Sequence, residues 1–219
     1  MSNQDSFINE VTEEVRRDKL FKLFRRYGWI GVLAIVLIVA GAAVNEWRKA
    51  RIAAEAQATG DAIIVALDAN DALARATALA ELDAGDNQSR KAVLSLLAAD
   101  AALDDGNVAE AIAKLEELAN NTSAPAPFRD LATIKATILG AGTLPPDERI
   151  ARLNAMSLSG SAFRLIAMEQ IALAEVELGQ TDAAIARLRD ILADAAVTQD
   201  LRRRASQLIV ALGGVLSAG

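Results

Sequence analysis

The most apolar part of the chain runs from Gly28 to Val44, seventeen consecutive residues without a charge. With one uncharged residue added at each end, a helix of this length covers about 28 Å, close to the hydrocarbon thickness of a bilayer. Aromatic and basic side chains bracket the stretch, as is typical of membrane–water interfaces; they are Arg25, Arg26, Tyr27, Trp29, Trp47 and Arg48. The pattern predicts a transmembrane anchor over residues 27–47, with a buried core helix as the alternative.

The charges beside the span predict its orientation. Residues 11–26 carry six basic side chains and residues 46–60 carry three. Because the more basic flank stays in the cytoplasm, the amino terminus is expected there and everything after the span is expected to be exported. The small residues Ala40, Gly41 and Ala42 offer a step that a signal peptidase can cut, but the hydrophobic run is longer than that of a signal peptide, which favours an uncleaved anchor.

Apolar residues also recur before the span, at Phe7, Ile8, Val11 and Val15. Their spacing predicts a cytoplasmic amphipathic helix within residues 1–26. Such a helix can lie at the membrane surface or dock onto a partner, and the pattern leaves both roles open.

After the span, turn-forming residues recur at a nearly constant interval. Asn70, Gly106, Gly142 and Gly179 are separated by 36, 36 and 37 residues. Apolar residues between them follow helical spacing, and no alternating pattern indicates a strand. A fixed period of this length predicts an all-α solenoid of helix pairs over residues 48–219.

Capping residues mark the ends of individual helices in this solenoid. Asn107, with Glu110 three residues on, is predicted to cap one helix, and Thr181 is predicted to cap another. The final helix is expected at about Asp200 to Leu212, as the capping helix that a solenoid needs for solubility. Its arginine run, residues 202–204, is interpreted as a solvated face rather than a phosphate site.

Composition excludes several kinds of chemistry. The chain has no cysteine and no histidine, so His-based triads, Cys–His pairs and the usual zinc sites are absent. After residue 51 it carries 23 acidic and 14 basic residues, a balance that repels nucleic acid. No glycine-rich phosphate loop is present. We therefore expect no nucleic-acid partner, no metal, no cofactor and no small-molecule substrate.

An enzyme that uses paired carboxylates is the remaining catalytic alternative. The candidate pairs are Asp104 with Asp105, Glu116 with Glu117, and Asp147 with Glu148. Adjacent residues on a helix point about 100° apart and do not converge on one substrate atom, so these pairs are interpreted as solvated charge. The chain is accordingly expected not to be an enzyme.

Two segments resemble the tetratricopeptide family. Its helix pairs have a small residue in the first helix, a glycine near the turn, and in the second helix an alanine with a large apolar residue four positions on. The matching residues are Ala99, Gly106, Ala111 and Leu115 in one segment, and Ala172, Gly179, Ala184 and Leu188 in the other. The resemblance implies a tetratricopeptide-like helical-hairpin solenoid. Departures from the family occur at Ser95, Ala102, Met168 and Glu175, so the family's peptide-binding positions do not transfer.

The amino-terminal part resembles the YfgM-like family of ancillary subunits of the SecYEG translocon. The resemblance lies in residues 13–17 (Glu-Glu-Val-Arg-Arg), residues 25–29 (Arg-Arg-Tyr-Gly-Trp), the span, and residues 45–47 (Asn-Glu-Trp). It implies a single-pass protein of a bacterial inner membrane, with its carboxy-terminal domain in the periplasm. The implied function is non-catalytic, as a link between the translocon subunits and periplasmic chaperones. Other anchored repeat proteins share this layout, so an envelope scaffold or a cell-division or peptidoglycan-associated adaptor remains the alternative.

Overall fold

The computed structural model describes the backbone of residues 3–158 and 160–215 and, within these ranges, the side chains from residue 25 onward. All the regular secondary structure in these residues is helical. The elements in order are α1 (Asn3–Leu67), α2 (Ala72–Ala80), α3 (Gln88–Asp104), α4 (Val108–Asn120), α5 (Ala126–Leu139), a 3-10 turn (Gly140–Gly142), α6 (Pro146–Ser157), α7 (Arg164–Glu177), α8 (Thr181–Ala193) and α9 (Gln199–Ala211). The predicted all-α class is confirmed for these residues.

The chain divides into two units, an amino-terminal unit (Met1–Ala58) and a helical unit (Thr59–Gly219). The amino-terminal unit consists of the first part of α1. Its most apolar eighteen-residue window has a mean hydropathy of 2.3, and none of that window is buried. The window is therefore not packed as a core helix within the described chain, and by length and composition the helix is consistent with a single-pass membrane anchor. The side chains of Phe7, Ile8, Val11 and Val15 lie outside the described residues.

The helical unit contains two identical turns at the predicted glycines. Gly106 follows α3 with φ +79°, and Gly179 follows α7 with φ +73°. After α3, Gly106 N donates to Leu103 O at 3.0 Å and Asn107 N donates to Ala102 O at 2.9 Å, the two bonds of a Schellman motif. The same pair of bonds closes α7 around Gly179. Each glycine therefore ends a helix by adopting a backbone conformation that other residues rarely take.

The other two turns of the predicted series are built differently. Gly142 lies in the 3-10 turn without a positive φ. Asn70 precedes Asp71, whose carboxylate accepts from Ala74 N at 2.7 Å and so caps α2. The sequence interval is thus kept while the local geometry changes, because a helix end can be satisfied by several capping arrangements.

The predicted helix starts are right in one case and displaced in another. Asn107 caps α4, since its side-chain oxygen accepts from Glu110 N at 3.2 Å. The N-cap of α8 is Gln180, which makes no side-chain capping bond, so Thr181 is the first helical residue and the predicted cap was wrong by one position. Thr198 caps α9 by accepting from Leu201 N at 3.4 Å.

The core of the helical unit is a series of clusters, each formed by three consecutive helices. The clusters join α1–α2–α3, α3–α4–α5, α5–α6–α7 and α7–α8–α9 in turn. Their members include Ala66, Leu79 and Leu94 in the first, Ala99, Leu115 and Ala132 in the second, Ile134, Leu153 and Ile171 in the third, and Ala172, Leu188 and Ile209 in the fourth. Each odd-numbered helix from α3 to α7 therefore contributes to two successive clusters.

Candidate interaction surfaces

The residues predicted at the membrane interfaces are all exposed in the structure. Tyr27 and Trp29 are 50% and 63% exposed, and Trp47 is 62% exposed. The guanidinium of Arg26 lies 5.7 Å from the centroid of the Tyr27 ring. Arg51, which the prediction did not include, lies 5.9 Å from the Trp47 ring. Both ends of the apolar stretch thus pair an aromatic ring with a cation, an arrangement suited to a membrane–water interface.

The alanines and leucines that carry the tetratricopeptide resemblance are buried in the core, whereas Gly106 and Gly179 lie in exposed turns. Ala111 and Ala184 are fully buried, and so is Leu115. The structure brings Ala99 and Leu115 into one cluster, while Ala172, Ala184 and Leu188 share another. Because alanine is small at these sites, the neighbouring helices can approach closely, and there is no room for a larger side chain.

Three ion pairs join helices that are two elements apart. They connect Asp100 of α3 with Lys135 of α5, Glu116 of α4 with Arg152 of α6, and Glu169 of α7 with Arg204 of α9. The paired residues are 35, 36 and 35 positions apart, which is close to the interval of 36 or 37 residues between the turns. The sequence prediction missed these pairs, although a search for opposite charges separated by one repeat could have found them.

The arginine run at the start of α9 is exposed, and one of its members also pairs with a buried carboxylate. Arg204 donates to both carboxylate oxygens of Glu169, at 2.7 Å each, and Glu169 is only 4% exposed. This bidentate contact raises the pKa of Arg204. All three arginines of the run are exposed, as the interpretation of a solvated face expects, and Arg204 in addition contacts the buried carboxylate of Glu169.

A second buried carboxylate lies inside the α7–α8 pair. Glu175, at the position where the tetratricopeptide family favours tyrosine, is 5% exposed. Arg187 of α8 contacts both of its oxygens, with the shortest distance 2.6 Å between Nη2 and Oε1. A buried charge needs such a partner, so this departure from the family pattern is compensated within the same helix pair.

One member of each carboxylate pair considered for catalysis takes part in an ion pair. Glu116 and Glu148, which come from different candidate pairs, both accept from Arg152 at 2.7 Å. They raise the pKa of Arg152, with Glu116 making the larger contribution. Asp104 contacts Arg75 at 3.3 Å. Across the described part of the chain, no group of three or more acidic residues is arranged to hold a metal ion.

An apolar groove lies between the end of α1 and α2, and we call it the α1–α2 groove. It is a shallow, open depression of about 510 Å³, lined by Asp61, Ala62, Val65, Ala66, Ala78, Glu81 and Leu82. A second groove, of about 550 Å³, lies between α8 and α9 and includes Arg189 and Arg202. Both of these arginines already donate to backbone carbonyls, of Val215 and Leu192 respectively.

These features define an all-helical protein that joins a candidate membrane-spanning helix to a helical unit with serially linked cores. No protein-family model, curated protein or solved structure shows a significant match to the chain.

Proposed function

We propose that the chain is a non-catalytic, membrane-anchored protein–protein interaction module whose helical unit is a tetratricopeptide-like solenoid. The observation that carries this proposal is the series of core clusters, each shared by three consecutive helices. Solenoids are built in this way, since every repeat contacts only its neighbours, and they offer extended surfaces to partners. The Schellman turns at Gly106 and Gly179, which are 73 residues or two repeats apart, add support.

The proposed partners are translocon subunits and periplasmic chaperones, with the protein held in a bacterial inner membrane and its helical unit in the periplasm. The resemblance of residues 10–50 to the YfgM-like translocon subunits supports this choice. The exposed apolar helix of Arg25–Leu67 supports the membrane location. The interface aromatic residues Tyr27 and Trp47, each beside an arginine, support the same location.

Affinity purification of the full-length protein from membranes tests the proposal. We expect translocon subunits and a periplasmic chaperone to be recovered with the wild-type chain. The matched control replaces residues 28–44 with an unrelated apolar span of equal length, which keeps the anchor and changes its surface. Loss of the translocon alone would assign that contact to the span. Recovery of neither partner with the wild-type chain would contradict the proposal.

A further inference from the structure

The α1–α2 groove lies at one end of the helical unit, where the serial packing of helices stops. From α3 onward, each odd-numbered helix up to α7 packs into one cluster before it and one after it. The end of α1 contributes Ala66 to the first cluster only, because no helix of the unit precedes it. Among the residues that the structure describes, no helix packs on the side from which a preceding helix would come.

Apolar side chains are exposed on these first two helices. Ile64 and Val65 of α1 are 67% and 73% exposed, and Leu73 of α2 is 67% exposed. Val65 lines the groove itself, together with the small residues Ala62 and Ala78. A shallow apolar surface with small residues between two helices can accept a third helix, which packs its own larger side chains against it.

The acidic residues of the groove favour a partner helix of positive charge. Asp61 and Glu81 line it, both are exposed, and neither forms an ion pair among the residues that the structure describes. The lining contains no basic residue. Positive charge on an incoming helix would therefore meet unpaired carboxylates at both walls, which favours its binding over that of an acidic helix.

We propose that the α1–α2 groove binds a partner helix whose apolar stripe is flanked by lysine or arginine. The inference rests on the proposed interaction function and names the surface and the partner class. A second copy of the chain is disfavoured, because a twofold pairing would bring Asp61 and Glu81 against the same acidic groove. An anionic membrane surface is disfavoured by the same charges.

The test uses the full chain in phosphatidylcholine nanodiscs and two labelled synthetic helices of about eighteen residues. Both peptides carry the same leucine stripe, flanked by lysine in one and by glutamate in the other. Fluorescence anisotropy, with empty nanodiscs as the blank, should show the lysine peptide binding about tenfold more tightly at low salt. The preference should shrink at about 1 M salt, where charges are screened within about 3 Å.

Matched variants assign the binding to the groove. Asp61→Asn with Glu81→Gln should abolish most of the preference, whereas Asp105→Asn with Glu117→Gln, on exposed residues elsewhere, should leave it unchanged. Val65→Ser should weaken binding of the lysine peptide several-fold, and Val210→Ser, on the exposed side of α9, should not. Because all these side chains are exposed, the variants should retain the helical circular dichroism of the parent.

Equal affinity for the two peptides, or unchanged binding by the Asp61/Glu81 variant, would overturn the inference. Binding that equals the empty-nanodisc blank would assign the peptide to lipid and overturn it too. A dimer in sedimentation that Val65→Ser dissolves would show that the groove takes a second copy instead. If neither peptide binds while translocon subunits still copurify with the chain, the proposed role of the α1–α2 groove is rejected and the proposed function stands. If the lysine peptide binds but no translocon subunit copurifies, the groove remains a helix-binding site and the translocon is rejected as a partner.

Discussion

Buried carboxylates in the helical unit are neutralised by arginines from other helices. Glu169 and Glu175 are both about 5% exposed, and each receives a bidentate arginine, Arg204 and Arg187 respectively. Desolvating an unpaired carboxylate is costly, so these contacts are requirements of the fold at the residue scale. They also fix which helices lie next to each other.

Removing one arginine should reveal this requirement. Arg204→Ala leaves the Glu169 carboxylate buried without its two hydrogen bonds, and we expect a loss of about 1–3 kcal/mol in the free energy of unfolding. Denaturant unfolding of the solubilised protein measures it. Arg203→Ala is the matched control, because among the described residues Arg203 forms only an exposed ion pair with Asp200, and its effect should stay within about 0.5 kcal/mol. Equal losses for the two variants would show that Glu169 does not depend on Arg204.

Alanine at the helix contacts should not accept a larger side chain. Ala111 and Ala184 are 0% exposed, so replacing either with phenylalanine forces the paired helices apart. The expected cost is about 1–3 kcal/mol, visible as a lower melting temperature by circular dichroism. A melting temperature of Ala111→Phe equal to that of the parent would mean that the helices are not packed through this residue.

Low pH should weaken the ion pair between Asp194, which follows α8, and Arg164. The guanidinium of Arg164, and secondarily the amide of Ala196, lower the pKa of Asp194. A carboxylate with a lowered folded-state pKa stabilises the fold above its unfolded value of about 4, and this contribution is lost as pH falls through the folded value. We therefore expect Asp194→Asn to be less stable than the parent at neutral pH. The difference should shrink as the pH falls below about 4; a difference that is constant with pH would contradict the account.

At the scale of the helix, the backbone conformation of glycine differs between turns that the sequence pattern had grouped together. Gly106 and Gly179 have positive φ, whereas Gly142 does not, and a Cβ on Gly142 would meet no atom within 4 Å. We predict that Gly106→Ala and Gly179→Ala each cost about 1 kcal/mol. Gly142→Ala should be neutral or slightly stabilising, since alanine restricts the unfolded chain. Equal melting temperatures for Gly106→Ala and Gly142→Ala would remove the distinction.

The positions of the helices could be predicted from the sequence, whereas the side-chain contacts between helices could not. Periodic apolar residues and the Asn107 cap are local signals, so the helical class and the start of α4 could be read directly. The cap at Thr181 was displaced by one residue, because no side-chain capping bond fixes the start of α8 and the sequence does not locate such a helix end to the residue. The partners of Glu169 and Glu175 depend on which helices meet, and neither hydropathy nor propensity carries that information. The α1–α2 groove was missed for the same reason.

At the scale of the molecule, the two units suit different surroundings. The exposed apolar stretch from Gly28 to Val44 fits a hydrocarbon phase, whereas the helical unit buries its apolar residues in linked clusters and carries an acidic balance. A module divided in this way can be held at a membrane by the first unit while the second remains available to partners in water. Anchoring also raises the effective concentration of the helical unit near other membrane proteins.

Measuring the orientation of the chain in the membrane tests the proposed function most directly, since every proposed partner depends on that orientation. Alkaline phosphatase is active only after export, so we expect a fusion after Gly219 to be active in intact cells. A fusion of the same enzyme before Met1 should be inactive, because the six basic residues between 11 and 26 keep that end in the cytoplasm. Activity from the amino-terminal fusion, together with an inactive carboxy-terminal fusion, would place the helical unit in the cytoplasm and contradict the proposed periplasmic function.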